Sequence, residues 1–303
     1  MANFLRKILC SALFLHISFS FVYAADWQEL TQKLARDGLS GQPYQELLSL
    51  LPATPTQSPM GRKIFDLYQR KFYPKQVVER EFYPGVVTDE NAKTCLAYMR
   101  KHAQWFDLAQ NKYGVPPSIA VALLFVETRL GTVLADVPEN AFYTLASMAV
   151  TRKFSDIPLW TPKLKEGRKR VEWIEQKMRE RADWAYREFR ALLVYMVDNK
   201  LKPNEVPGSI YGAVGLCQFM PSNIAVYAED GNKDGRIDLF MIEDASLSLA
   251  KYLAKHGWKS DLCREEQHKI LMRYNHAKVY ANTILALSDL ILIQASNQPK
   301  KAR

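Results

Sequence analysis

The sequence predicts a mainly α-helical protein. From Asp89 onward, apolar residues recur at helical spacing over 91–113, 170–199, 221–229, 244–256 and 277–295, with almost no alternating strand pattern. The 303 residues are 48% apolar and 24% charged, enough to bury a substantial core and unlike a disordered or fibrous chain. No internal repeat or low-complexity tract interrupts the helical patterning.

The first element reads as an export signal. Arg6 and Lys7 precede the apolar stretch 8–22, and Val22-Tyr23-Ala24 supplies small residues at the two positions a signal peptidase reads. A signal peptide over 1–24 is therefore expected. Ser11, His16, Ser18 and Ser20 break the run, which falls short of the ~20 residues of a membrane span. Cys10 comes too early to serve as a lipid-attachment cysteine. Cleavage removes two basic residues and no acid, so the net charge falls from +9 to +7. That excess suits anionic lipid, nucleic acid or an acidic wall polymer. No zinc-finger or RNP-type motif supports nucleic acid, which is set aside.

Residues 26–51 hold two short helical patterns broken at Gly38, Gly41 and Pro43, and 52–59 (PATPTQSP) form a proline-rich connector. Cys95, Cys217 and Cys263 match no zinc spacing and are expected to be buried free thiols. Between Val150 and Arg181 the chain turns basic, with Lys163, Lys165, Arg168, Lys169 and Arg170 close together. Such a run is ordinarily a solvated face, and otherwise a contact surface for an acidic polymer.

Residues 112–131 read KYGVPPSIAVALLFVETRLG. Pro116 and Pro117 suit a helix start and Gly131 its stop. A helix apolar nearly all round is buried, which puts Glu127 at the end of a buried helix. Burial and the negative end of the helix dipole both disfavour its charged form, as a general acid requires. The ordinary explanation of such a residue is an ion pair with Arg129 or a neighbouring Lys.

Three further segments carry chemistry. In GSIYGAVGLCQFMPSN, 208–223, three glycines allow a tight backbone path, and Ser209, Tyr211 and Gln218 offer groups suited to gripping a sugar. Residues 230–238 fit the first nine positions of an EF-hand calcium loop, with oxygens from Asp230, Asn232 and Asp234 before Gly235 and Ile237. Position 12 is Met241 where a bidentate Glu belongs, so the loop closes later, on Asp244, or has lost its metal. In Arg273-Tyr274-Asn275-His276, Asn275 reads as the cap of the following helix, which contains Tyr280.

VETRLG (126–131), GSIYGAVGLCQFMPS (208–222), the EF-hand-like loop, Lys255-His-Gly-Trp258 and Arg273-Tyr-Asn275 occur in an order that closely resembles the membrane-bound lytic murein transglycosylase B family. The resemblance is strongest over 112–281. It implies a lysozyme-like helical catalytic region at 111–303, with an N-terminal helical region at 25–110 packed against it. It also implies cleavage of the β-1,4 bond between N-acetylmuramic acid and N-acetylglucosamine in periplasmic peptidoglycan. The family's single catalytic carboxylate falls on Glu127, and its groove residues on Ser209, Gln218, Tyr274, Asn275 and Tyr280. Its structural Ca2+ ligands fall on Asp230, Asn232, Asp234, the Arg236 carbonyl and Asp244.

Peptidoglycan strands are the expected partner, with cell-wall synthesis or division proteins as further candidates, and a monomer is expected. Only 15 residues separate Trp258 from Tyr274, where better-known members carry a sizeable insertion, so one groove wall is expected to be reduced. Two other activities stay open from the sequence: a peptidoglycan hydrolase of the same fold, and a non-catalytic wall-binding scaffold.

Overall fold

A computed structural model describes residues 25–75, 79–136, 140–164 and 167–297. The expected signal segment lies outside the described residues, as does Lys165. In chain order the helices are α1 (Ala25–Arg36), α2 (Gln42–Leu48), α3 (Ser58–Phe72), α4 (Asp89–Lys101), α5 (Ala103–Tyr113), α6 (Pro117–Thr128), α7 (Ala141–Val150), α8 (Arg168–Asp198), α9 (Pro221–Tyr227), α10 (Ile242–Lys255), α11 (Arg264–Tyr274) and α12 (Lys278–Ser296). Among the described residues, extended pairing is limited to isolated bridges such as Gly208 with Val214 and Val214 with Phe219.

Local chemistry sets the boundaries. Thr88 caps α4 by accepting from the Asn91 amide at 3.2 Å, and the helix runs from Asp89 and Glu90 to Arg100 and Lys101, matching its dipole. Asn140 caps α7 through the amides of Phe142 and Tyr143. Gly114 ends α5 in the left-handed region, at φ 71°.

A helix apolar on every side has to be surrounded, and α6 is: residues Ser118–Phe125 are all buried. It lies among α4, α5, α10 and α12, while α1, α2 and α3 pack against α7 and the long α8. Trp160 lies so close against α3 that a Cβ on Gly61 would come within 2.2 Å of its indole.

Three details differ from expectation. The helical pattern at 91–113 is two helices, divided at His102, which lets α4 face α6 and α12 while α5 faces α10. Asn275 does not start a helix. It ends α11, a charged helix whose buried residues are only Ile270 and Leu271, and α12 begins after Ala277. Cys95 and Cys217 are buried free thiols, but Cys263 is exposed at the start of α11.

Candidate functional site

Glu127 is the penultimate residue of α6, which ends at Thr128 rather than running on to Gly131. The next three residues, Arg129, Leu130 and Gly131, all have positive φ (51°, 59° and 92°), and this turn carries the chain away from the helix axis. Among the described residues no Lys or Arg pairs with Glu127. Arg129 turns instead to Phe125, its guanidinium carbon 4.5 Å from the ring centroid. The ion-pair explanation of Glu127 therefore fails.

What Glu127 meets is Tyr280. The Tyr280 hydroxyl donates to Glu127 Oε1 at 2.5 Å from α12, where Tyr280 is 2% exposed. Burial pushes the Glu127 carboxyl up to about 7, against the lowering effect of that hydrogen bond. Burial and the nearby Glu127 drive the Tyr280 phenol well above its ordinary value, so it stays a donor.

The Tyr274 ring lies nearly parallel to Tyr280, 6.2 Å away at 9°, and its hydroxyl donates to the Cys217 carbonyl. Thr128 Oγ1 donates to the Leu216 carbonyl at 3.0 Å. Both neighbours of Glu127 are thus fastened to the 208–219 loop, Thr128 directly and Tyr280 through the Tyr274 stack.

That loop needs its glycines where the backbone crowds. Gly215 has φ 77°, and a Cβ there would meet the Leu239 carbonyl oxygen at 2.6 Å. Gln218 also has positive φ, and its Nε2 folds back onto the Gly215 carbonyl at 3.0 Å. Ser209 Oγ accepts from the amides of Tyr211 and Ala213, and the Tyr211 hydroxyl donates to Asp66 at 2.9 Å. Asn275 is exposed at the end of α11.

The sequence-predicted residues therefore divide. Glu127, Tyr274 and Tyr280 come together, Gln218 follows the residue Tyr274 holds, and the polar groups of Ser209 and Tyr211 brace the loop and its contact with α3. Tyr83 was not anticipated. Burial, and secondarily the charge of Glu127, raise its phenol, while its amide donates to Thr283 Oγ1 at 2.9 Å. Lying outside every motif, it has nothing in sequence to separate it from the chain's other tyrosines.

The EF-hand-like segment joins α9 to α10. Asp230 accepts from the amides of Asp234 and Gly235, Asp234 from Arg236, and buried Asp244 from Gly231 and Asp238. Gly235 takes the left-handed turn that position 6 demands, φ 86°. Among the described residues no three carboxylate, imidazole or thiol groups converge as a metal site. The donor set is nevertheless all hard oxygen, and burial together with Asp230 and Asp234 raises the Asp244 carboxyl, a surplus of negative charge that suits a hard cation.

Residues 23–263 match the family model described as the transglycosylase SLT domain. The chain belongs to that family. It is 28% identical over 172 residues to membrane-bound lytic murein transglycosylase B of Escherichia coli (strain K12), an alignment taking in 57% of this chain and 40% of that protein. The chain thus spans less than half of the length of this curated relative.

Among solved structures, soluble lytic transglycosylase SltB1 of Pseudomonas aeruginosa superposes with a TM-score of 0.66 at 22% identity, covering 88% of this chain and 98% of that one. Escherichia coli lytic transglycosylase Slt35, solved in complex with calcium, gives 0.64 at 20% identity over 90% and 94%. At these identities the likeness concerns the fold, and the mainly helical, lysozyme-like architecture expected for this SLT-domain chain is the one found.

Proposed function

We propose that this SLT-domain chain is a lytic murein transglycosylase that cuts the MurNAc–GlcNAc β-1,4 bond of peptidoglycan, with Glu127 as its single acid and base. The observation that carries this reading is Glu127 itself, held protonated near neutrality by burial, free of any cation among the described residues, and oriented by Tyr280.

In the first half of the reaction Glu127 gives its proton to the glycosidic oxygen as the bond to C1 of muramic acid breaks. The sugar's own 2-acetamido group stabilises the oxocarbenium-like centre. Glu127, now ionised and still receiving the Tyr280 hydrogen bond, takes the proton of the muramic acid C6 hydroxyl as that oxygen closes onto C1. The product is a 1,6-anhydro sugar, with no water consumed. Ser209, Tyr211, Gln218, Tyr274 and Asn275 orient the strand, contributing proximity rather than bond-making.

A two-carboxylate hydrolase is disfavoured because, among the described residues, burial and Tyr280 are the influences on the Glu127 proton and no second carboxylate joins them. A bound Ca2+ would be held by Asp230, Asn232, Asp234, the Arg236 carbonyl and Asp244, and would brace the α9–α10 connection. Export to the periplasm fits both the N-terminal signal pattern and this substrate.

Mass spectrometry of peptidoglycan digested by the protein tests the reading. Anhydromuropeptides from the wild type and none from Glu127→Gln are expected. Reducing-end fragments would make the enzyme a hydrolase, and binding without cleavage a scaffold.

A further inference from the structure

Thr128 and Tyr274 fasten the middle of the 208–219 loop, at the carbonyls of Leu216 and Cys217. Its exit limb runs on into α9 and is gripped by a side chain of the long helix α8. Glu188 is 6% exposed. The Ser222 amide donates to its Oε2 at 2.9 Å, and the Ser222 hydroxyl donates to its Oε1 at 3.0 Å. Among the described residues no cationic side chain forms an ion pair with it. A carboxylate buried without a cation is a costly group for a core. Packing alone would be served as well by an apolar side chain, so what Glu188 adds is a fixed place for Ser222.

Two more groups extend this grip. Tyr195 and Asn199 lie about two and about three turns further along α8, on the same side of it, and both are buried. The Leu239 amide donates to the Tyr195 hydroxyl at 3.4 Å, and the Ile237 amide donates to Asn199 Oδ1 at 2.5 Å. Leu239 in turn accepts the Leu216 amide on its carbonyl at 2.8 Å. One face of α8 thus fixes both flanks of the segment that bears Gln218, Ser222 directly and Leu216 by way of Leu239. Between these flanks Phe219 packs its ring 6.1 Å from that of Tyr274.

We propose that Glu188 is a positioning residue for the reaction at Glu127. Buried in the protein, it acts through Ser222, and it sets where Gln218 stands relative to the acid. The proposal rests on the transglycosylase reading above and deepens it, by naming a carboxylate that serves the site without exchanging a proton there.

Three variants test it, each assayed at a temperature where circular dichroism shows it fully folded. Glu188→Ala deletes both bonds to Ser222, and Ser222→Ala deletes the one from the hydroxyl. Glu188→Gln can keep both, its oxygen accepting the amide and its Nε2 donating to the hydroxyl. On soluble glycan strands, kcat/KM for anhydromuropeptide release is expected to fall about tenfold or more in Glu188→Ala, the effect of a small displacement at a reacting centre. It should recover in Glu188→Gln, and Ser222→Ala should lose about threefold, as for one hydrogen bond. Amide hydrogen exchange at 216–219 should quicken in Glu188→Ala while that of α12 stays unchanged.

A folded Glu188→Ala with wild-type kcat/KM overturns the proposal, because a purely structural role predicts that result. So does a loss that Glu188→Gln fails to restore. Should Glu188→Ala not fold, Ser222→Ala decides, and wild-type kinetics and exchange in that variant overturn the proposal equally. Exchange needs no substrate, so the two readings fail separately. A wild type that releases no anhydromuropeptides sinks the reaction and this proposal with it, whereas an active wild type whose 216–219 exchange is unmoved by Glu188→Ala sinks this proposal alone.

Discussion

The hydroxyl of Tyr280 lies 2.5 Å from Oε1 of Glu127, although the two residues are 153 positions apart in the chain. This hydrogen bond favours the carboxylate, while burial favours the acid, and burial prevails. Activity should therefore follow the protonated form of Glu127. Measured on soluble glycan strands from about pH 5 to about pH 9, kcat/KM is expected to fall about tenfold per unit above about 7. Tyr280→Phe removes the influence that holds the value down, so the falling limb should move to higher pH. A limb unmoved or displaced downward would show that Tyr280 does not act through this proton.

The same carboxyl costs the fold stability. The unfolded chain releases the Glu127 proton in the ordinary carboxylate range, and the folded chain retains it until about 7. Wild-type stability therefore declines as pH rises through that window. Glu127→Gln should match the wild type in acid and exceed it above neutrality by up to about 3 kcal/mol, at ~1.4 kcal/mol per unit. Urea unfolding of both proteins at two pH values measures the difference.

Thr128→Val keeps the side-chain shape and deletes the bond to the Leu216 carbonyl. A buried acceptor left without its partner costs ~1–3 kcal/mol. The expected result is that loss in chemical denaturation, with a rise in KM as the loop bearing Gln218 loses its tie to α6.

Gly215→Ala combines an unfavourable φ of 77° with a Cβ 2.6 Å from the Leu239 carbonyl oxygen. Strain and overlap together should destabilise by about 2–4 kcal/mol. Gly235→Ala, with a similar φ but open space around its Cβ, should lose less. Thermal unfolding of the pair separates crowding from backbone strain.

Calcium should raise the melting temperature of the wild type and a chelator should return it, since a ligand that binds only the folded state stabilises it. Asp230→Asn and Asp234→Asn together should abolish that response. A melting temperature indifferent to calcium would mean that the loop folds on its own hydrogen bonds.

The helix carrying Glu127 was legible because eight apolar residues in a row, Ile119 to Val126, leave no polar face to turn to water. The two short N-terminal helices and the break at the proline-rich connector were legible from Gly and Pro alone. The partnership of Glu127 with Tyr280 was not, because residues 153 positions apart in sequence meet only through the packing of α12 on α6. Asn275 shows a subtler failure. A residue type that caps helix starts sits equally well after a helix end, and α11 gave little warning with two buried residues among eleven. Tyr83 was invisible for a related reason, since its burial within the field of Glu127 is a property of the folded chain.

The acid, its hydroxyl donor and the loop they share come from residues 127, 280 and 216–217, three stretches spread over about half of the chain. In an extended polypeptide Glu127 is an ordinary carboxylate, ionised at neutral pH and useless as a proton donor. Its hold on the proton is thus acquired only when α12 and its neighbours pack against α6. Under the proposed reading, the proton donor is by this arrangement idle until the chain has folded, with folding itself as its safety catch.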